Sequence, residues 1–131
     1  PPYTVEYQGI SFIILDANYR FDYRCFDEAG VEWTDSNLPP FQVEYLKNQL
    51  YKATSPVIVL VHENLDPNTD ENHIIKNATE IRKIIKASGK VKMVIQGHYH
   101  SGKSSIIDGI PYITLSAMCE AKENPYKIIE I

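Results

Sequence analysis

The chain has 131 residues, of which 44% are hydrophobic and 23% are charged, a profile typical of one soluble globular domain. Its formal net charge of -4 argues against nucleic acid as a default partner, because phosphate backbones attract basic surfaces. No apolar run approaches the roughly 20 residues that a membrane span needs, so no membrane association is expected.

Neither the termini of the chain nor its cysteines establish the cellular compartment of the protein. The sequence begins at Pro1-Pro2 without an initiator methionine, and we expect a processed or truncated chain with any targeting segment upstream. Cys25 and Cys119 have no metal-type spacing and are expected to be free thiols.

The first third of the chain predicts a hairpin and a long loop. Residues 3–16 alternate, turn at Gln8-Gly9 and continue as an apolar strand that ends at Asp16. Residues 17–40 lack periodicity, which favours a surface loop. We expect its aromatic residues to pack on the core rather than to form a binding platform: Tyr19, Phe21, Tyr23, Phe26 and Trp33.

The middle of the chain predicts helix, strand, helix and strand. Apolar spacing predicts a helix over about residues 40–53, and Val57–Val61 suits a strand buried on both faces. A second helix is predicted over about residues 73–88, with Gly89 as its C-terminal stop. Residues 91–95 then form the next strand.

The last third predicts a hairpin and a final strand. Asp108-Gly109 between apolar runs predicts a turn joining strands at 103–107 and 110–115. Residues 126–131 are predicted to form a short strand.

Three histidines follow the two central strands. A helical crossover should make these strands parallel, so His62 and His98 should meet at one edge of the sheet, with His100 close by. Imidazole is a common ligand of zinc, iron and manganese, and the sequence therefore predicts a metal site formed by His62, His98 and His100. His73 is interpreted as a surface residue without such partners.

Carboxylate ligands are poorly placed by sequence. Two-metal phosphoester chemistry needs carboxylates as well as imidazoles. Asp16 is expected to cap a loop, while Glu63 and Glu120 have no spacing that argues for ligation.

Five segments stand in a characteristic order and spacing from about residue 10 to the end: Phe12–Asp16 (FIILD), Gln42–Leu46 with Leu50, Val57–His62, Gly97-His98-Tyr99-His100 and Ile106–Leu115 (IIDGIPYITL). In this order and spacing they resemble the calcineurin-like metallophosphoesterases.

This resemblance implies an α/β fold, the C-terminal half of a four-layer αββα sandwich with a mixed sheet flanked by helices. It also implies metal-dependent hydrolysis of a phosphomonoester or phosphodiester of a small molecule, with two divalent ions (Mn, Fe or Zn). His62 and His98 would hold one ion and His100 the other.

The family's N-terminal motifs are absent. Asp16-Ala17-Asn18 is not Asp-x-His, neither Gly-Asp nor Gly-Asn-His occurs, and Asn64 stands where the family often has proline. The bridging aspartate and the general acid are thus missing. We therefore expect residues 1–131 to be a single domain that lacks its N-terminal half and is inactive alone. The exposed sheet face should favour a homodimer or larger assembly.

Two other functions remain open. One is a non-catalytic module that binds a metal or a phosphorylated ligand. The other is an ordinary α/β nucleotide-binding domain with incidental histidines, although the sequence contains no glycine-rich phosphate loop.

Overall fold

The computed structural model describes residues 1–131 and contains one six-stranded mixed sheet with the order β1-β2-β3-β4-β6-β5. The elements are β1 (Tyr3–Tyr7), β2 (Ile10–Leu15), α1 (Phe26–Ala29), α2 (Pro40–Lys52), β3 (Val57–Val61), α3 (Ala78–Ser88), β4 (Val91–Gln96), β5 (Lys103–Ile107) and β6 (Ile110–Thr114). Short 3-10 turns lie at Glu71–His73 and Met118–Glu120. None of the helices combines the length and hydrophobicity that crossing a membrane requires.

The four central strands are parallel and the two edge strands are antiparallel. β2 pairs with β3, β3 with β4, and β4 with β6 in parallel, while hairpins attach β1 to β2 and β5 to β6. Asp108 and Gly109 both have positive φ, as the tight turn between β5 and β6 requires. The carboxyl ends of β2, β3, β4 and β6 therefore meet at one edge, and the expected α/β class with a mixed sheet flanked by helices is confirmed.

Helices α2 and α3 cover one face of the sheet. Ile13, Val59 and Val94 are fully buried on that face and belong to a core of 18 buried hydrophobic residues. Leu46 of α2 and Ile81 of α3 are also fully buried, because each helix turns its apolar stripe toward the strands. This core holds in place the carboxyl ends of the strands, and the loops that carry the candidate site follow these ends.

The opposite face of the sheet is also apolar, but neither long helix packs on it. Strand register aligns its side chains in two rows, because every second residue of a strand points to the same face. We call this surface the open face; its rows are Val5, Phe12, Ile58 and Met93, and Tyr3, Ile14, Leu60, Ile95 and Ile113.

The second long helix begins five residues later than predicted. Asn64 donates its backbone N–H to the carbonyl oxygen of His73 at 3.1 Å and accepts from Ile75 at 2.9 Å. This pairing holds Ile74 extended after the 3-10 turn Glu71–His73, so α3 begins only at Ala78. Gly89, at φ 65°, ends the helix as predicted.

Of three further expectations, two are wrong and one is confirmed. The strand predicted over 126–131 is wrong, since the chain has no regular element after Met118–Glu120. The tail instead lies beside the open face, where Tyr126 and Ile129 line a cavity with Ile95. Core packing of the loop aromatics is wrong for Phe21, Tyr23 and Trp33, which are 70%, 51% and 47% exposed. Both cysteines are free thiols, as expected.

Candidate metal centre

The imidazoles of His62 and His98 meet at the carboxyl edge of the sheet. Their ring centroids are 5.5 Å apart. His62 follows β3 and His98 lies two residues beyond β4, and the two strands are parallel neighbours. The convergence that connectivity predicted is therefore observed, and ligation of a metal by these residues stays a prediction.

Gly97 brings the two loops into close contact. Its backbone N–H donates to the His62 carbonyl oxygen at 2.8 Å, and a Cβ there would lie 3.2 Å from His62 Nδ1. The sharp turn itself falls on the next residue, since His98 has φ 64°. Glycine at 97 thus permits a close approach of the chain, while His98 adopts the left-handed conformation.

A buried polar network fixes the loop after β3. Thr114 Oγ1 accepts from Asn64 Nδ2 at 2.9 Å and from Gln96 Nε2 at 3.1 Å. Gln96 Oε1 accepts the backbone N–H of Leu65 at 2.8 Å. Because Asn64, Gln96 and Thr114 are all buried, these bonds hold the ends of β3, β4 and β6 in one arrangement.

His73 belongs to this site, so its interpretation as an isolated surface residue is wrong. Its ring lies 5.1 Å from His98, 5.3 Å from Trp33 and 5.4 Å from Tyr99, centroid to centroid. The pairing of Asn64 with residues 73–75 carries His73 there. Burial lowers the pKa of His98, and the nearby His62 and His73 lower it further.

A cavity of about 420 Å³ between the strand ends is lined by His98 and Glu63, and each of these side chains has a buried polar atom without a hydrogen-bond partner. These atoms are Nε2 of His98 and Oε2 of Glu63. Glu63 is only 1% exposed, and this burial raises its pKa while the adjacent His62 opposes the shift. Imidazoles and a carboxylate are donor types that bind divalent cations, so the chemistry of these residues fits a metal. Their donor atoms are not all within 4.8 Å of one another.

No spacing pattern in the sequence marks Glu63 as a candidate ligand; only its burial in the structure does so.

Asp16 lines the same cavity. Its Oδ1 accepts from the backbone N–H of Asn18 at 3.0 Å and from the Asn18 side chain at 2.8 Å. The expected loop-capping role of Asp16 is confirmed.

The imidazole of His100 contacts Glu120 and not the other two predicted histidines. It lines a larger cavity of about 600 Å³ together with His62 and His98, but its Nδ1 lies 2.6 Å from Glu120 Oε1. The one group of three metal-type side chains whose donor atoms lie within 4.8 Å of one another is His100, Cys119 and Glu120. The structure thus gathers the three predicted histidines around one cavity without bringing their donor atoms that close.

Comparisons with known proteins reveal similarity in structure alone. No protein-family model matches the chain, and no curated protein matches it in sequence. A dimetal phosphatase from Danio rerio superposes on 91% of this chain with a TM-score of 0.74 and 16% identity. GAP50, the anchor in the inner membrane complex of Plasmodium, superposes on 97% with a TM-score of 0.60 and 16% identity.

The chain spans 50% of the length of the Danio rerio protein and 39% of the Plasmodium protein. At these identities the likeness establishes the fold alone. The chain therefore shares its fold with part of a dimetal phosphatase.

Proposed function

We propose that the protein containing this chain is a metal-dependent hydrolase of phosphate esters, and that His62, His98 and His100 are metal ligands in its active centre. Its substrate would be a small phosphomonoester or phosphodiester. The observation that carries the proposal is the buried, unpartnered Nε2 of His98, a residue that lines one cavity with His62 and with Glu63, whose Oε2 also has no partner. This donor set lies at the edge where sheets of this kind bind ligands.

Each site residue has a role that follows from its position. A divalent ion held there (Mn, Fe or Zn) would supply Lewis-acid stabilisation of the charge on the phosphoryl group. His62 and His98 would orient it from two strand ends that Gly97 locks together. Trp33 and His73 pack against His98 and limit the access of water to it. His100, which lines the larger cavity with His62 and His98, would hold a second ion.

We propose that this centre is completed by a further segment of the full-length protein. The chain contains neither the Asp-x-His nor the Gly-Asn-His motif that would supply the bridging carboxylate and the general acid. It corresponds to half of the Danio rerio phosphatase, and its open face offers an apolar surface for a second sheet. The isolated chain should therefore bind metal without catalysing hydrolysis.

A non-catalytic metal- or phosphate-binding module is the second candidate function. The observation that favours it is the structural likeness to GAP50, which is named as an anchor. In that case the histidine cluster would bind an ion or a phosphorylated ligand in a protein that performs no hydrolysis.

Metal binding and phosphoesterase activity test the two functions together. Metal binding to the 131-residue chain would be measured by calorimetry with Mn²⁺ and Zn²⁺, and hydrolysis by the full-length protein with p-nitrophenyl phosphate and its bis ester. His62→Gln and His98→Gln should each weaken metal binding and lower kcat/KM at least about 100-fold. Glu123→Gln, in the exposed tail, is the matched control and should leave both values unchanged.

The outcomes separate the candidates. Metal binding that depends on His98, together with hydrolysis by the full-length protein, supports the enzyme. Metal binding without hydrolysis of either substrate supports the binding module. An affinity that neither histidine variant changes rejects a metal centre at this edge.

A further inference from the structure

We propose that His100, Cys119 and Glu120 form a zinc-binding site in which Cys119 supplies a thiolate ligand. Their donor atoms all lie within 4.8 Å of one another, and the chain contains no other trio of metal-type side chains this close. His100 Nδ1 and Glu120 Oε1 are already 2.6 Å apart. Neither Cys119 nor Glu120 is a ligand that the resemblance in sequence implies.

The backbone holds these side chains together by contacts that do not involve the donors. The N–H of Ala117 donates to the carbonyl oxygen of His100 at 2.9 Å, which ties the segment after β6 to the loop after β4. Beside this bond, Gly102 lets the two segments approach closely, since a Cβ there would lie 2.5 Å from Ser116 Oγ. The 3-10 turn Met118–Glu120 then places Cys119 and Glu120 next to the imidazole.

The donor types select the metal. Thiolate, imidazole and carboxylate are the three ligand classes that zinc accepts, and a thiolate favours zinc over manganese. Binding would take the thiolate form of Cys119 and release its proton to solvent. Tetrahedral zinc with bonds of about 2.0–2.1 Å places nitrogen and oxygen ligands roughly 3.3 Å apart, so the His100–Glu120 pair must widen slightly. Both side chains are exposed and are free to make that adjustment.

Three protein ligands leave a fourth position open on zinc, the arrangement of sites that also bind water or a ligand. His100 and Cys119 line the cavity of about 600 Å³ that also contains His62 and His98. The open position would face that cavity. The inference goes beyond the proposed function because it concerns a different ligand set and requires no catalysis, although His100 is common to both.

Cobalt binding to the reduced 131-residue chain tests the thiolate ligand directly. Cobalt(II) replaces zinc in such sites, and a thiolate ligand gives it a near-ultraviolet charge-transfer absorption that imidazole and carboxylate do not give. The chain should develop this band on titration with Co²⁺ and lose it when Zn²⁺ is added. Cys119→Ser should lack the band, whereas Cys25→Ser, which removes the other thiol, should keep it.

The remaining variants define the ligand set. His100→Gln and Glu120→Gln should each weaken Zn²⁺ binding at least tenfold in competition with a chelating indicator, whereas Glu123→Gln should not. His98→Gln should keep the cobalt band, because His98 is outside the trio. This result also separates the inference from the proposed function, which predicts loss of metal and of activity in that variant.

Three results would overturn the zinc site. They are absence of the band in the unmodified chain, its persistence in Cys119→Ser, and its loss in His98→Gln. Circular dichroism of each variant establishes that the loss of a band reports a ligand and not unfolding.

Discussion

Gly97 donates its backbone N–H to the carbonyl oxygen of His62 at 2.8 Å, and this bond joins the two strand ends that carry the imidazoles of the candidate centre. A Cβ at position 97 would lie 3.2 Å from His62 Nδ1 and 3.3 Å from the His62 carbonyl oxygen. Both contacts are closer than ordinary van der Waals separations. The geometry of the imidazole pair therefore depends on the absence of a side chain at this position.

Gly97→Ala should displace His62 and weaken metal binding about tenfold, with a loss of about 1 kcal/mol in the free energy of unfolding. Calorimetry and urea denaturation measure the two effects. The control is Gly9→Ala in the first hairpin, where φ is 76° and no atom lies within 4 Å of the added Cβ. It should lose about as much stability, through backbone strain, and keep its metal affinity. Unchanged affinity in Gly97→Ala would contradict the role assigned to this contact.

Thr114→Val should destabilise the chain by about 1–3 kcal/mol, because it removes the acceptor shared by the buried amides of Asn64 and Gln96. Urea denaturation measures the change. Valine has nearly the same shape, so the loss reports the hydrogen bonds and not a cavity. Thr34→Val is the control, since Thr34 lies on an exposed loop and bonds only to Glu32, and its cost should stay within about 0.5 kcal/mol. Equal effects of the two substitutions would show that the network contributes no stability.

Alkaline pH should destabilise the chain through Tyr112. Burial raises the pKa of Tyr112 to about 12 from its ordinary value of 10.0. Between these values the folded state retains a proton that the unfolded state has lost, so stability falls as pH rises from 10 toward 12. The total loss from this residue is at most about 2–3 kcal/mol.

Tyr112→Phe removes that contribution, so its stability should fall less than that of the unmodified chain above pH 10. Urea denaturation at pH 8, 10 and 11 measures the difference. Tyr126→Phe, at a mostly exposed tyrosine of the tail, should follow the unmodified chain at every pH. If the stability of Tyr112→Phe falls with pH as steeply as that of the unmodified chain, the buried phenol of Tyr112 is not the source of the loss.

The open face should cause the isolated chain to associate. Apart from the buried Ile58, its two rows present apolar side chains that are at least partly exposed and on which neither long helix packs, and such surfaces favour self-association. We expect a homodimer or larger assembly by light scattering at micromolar concentration.

Ile95→Lys, in the middle of that face, should shift the chain toward monomer, because a buried lysine would lack a partner in the interface. Val31→Lys places the same charge on the exposed loop and should leave the assembly unchanged. If light scattering finds that the unmodified chain is monomeric, the open face is not an association surface.

Part of the site could be read from the sequence because it depends on local patterns. The apolar runs fixed β3 and β4, and the crossover between them made the strands parallel. From that connectivity alone, His62 and His98 had to lie at one edge. The long loop and the tail were harder to predict, since their aromatic and apolar residues do not establish whether they pack on the core or remain exposed.

By itself, the sequence determined the six strands of the sheet, the hairpin turns, the α/β class and the meeting of His62 with His98, since side-chain periodicity and short connections are local properties. The tertiary structure alone decided the start of α3, the place of His73, the burial of Glu63 and the proximity of Cys119 and Glu120 to His100. The start of α3 and the place of His73 depend on the hydrogen bond between Asn64 and His73, and the trio at His100 depends on the bond between Ala117 and His100. No local pattern encodes such pairings, because they form only when the sheet brings the loops together.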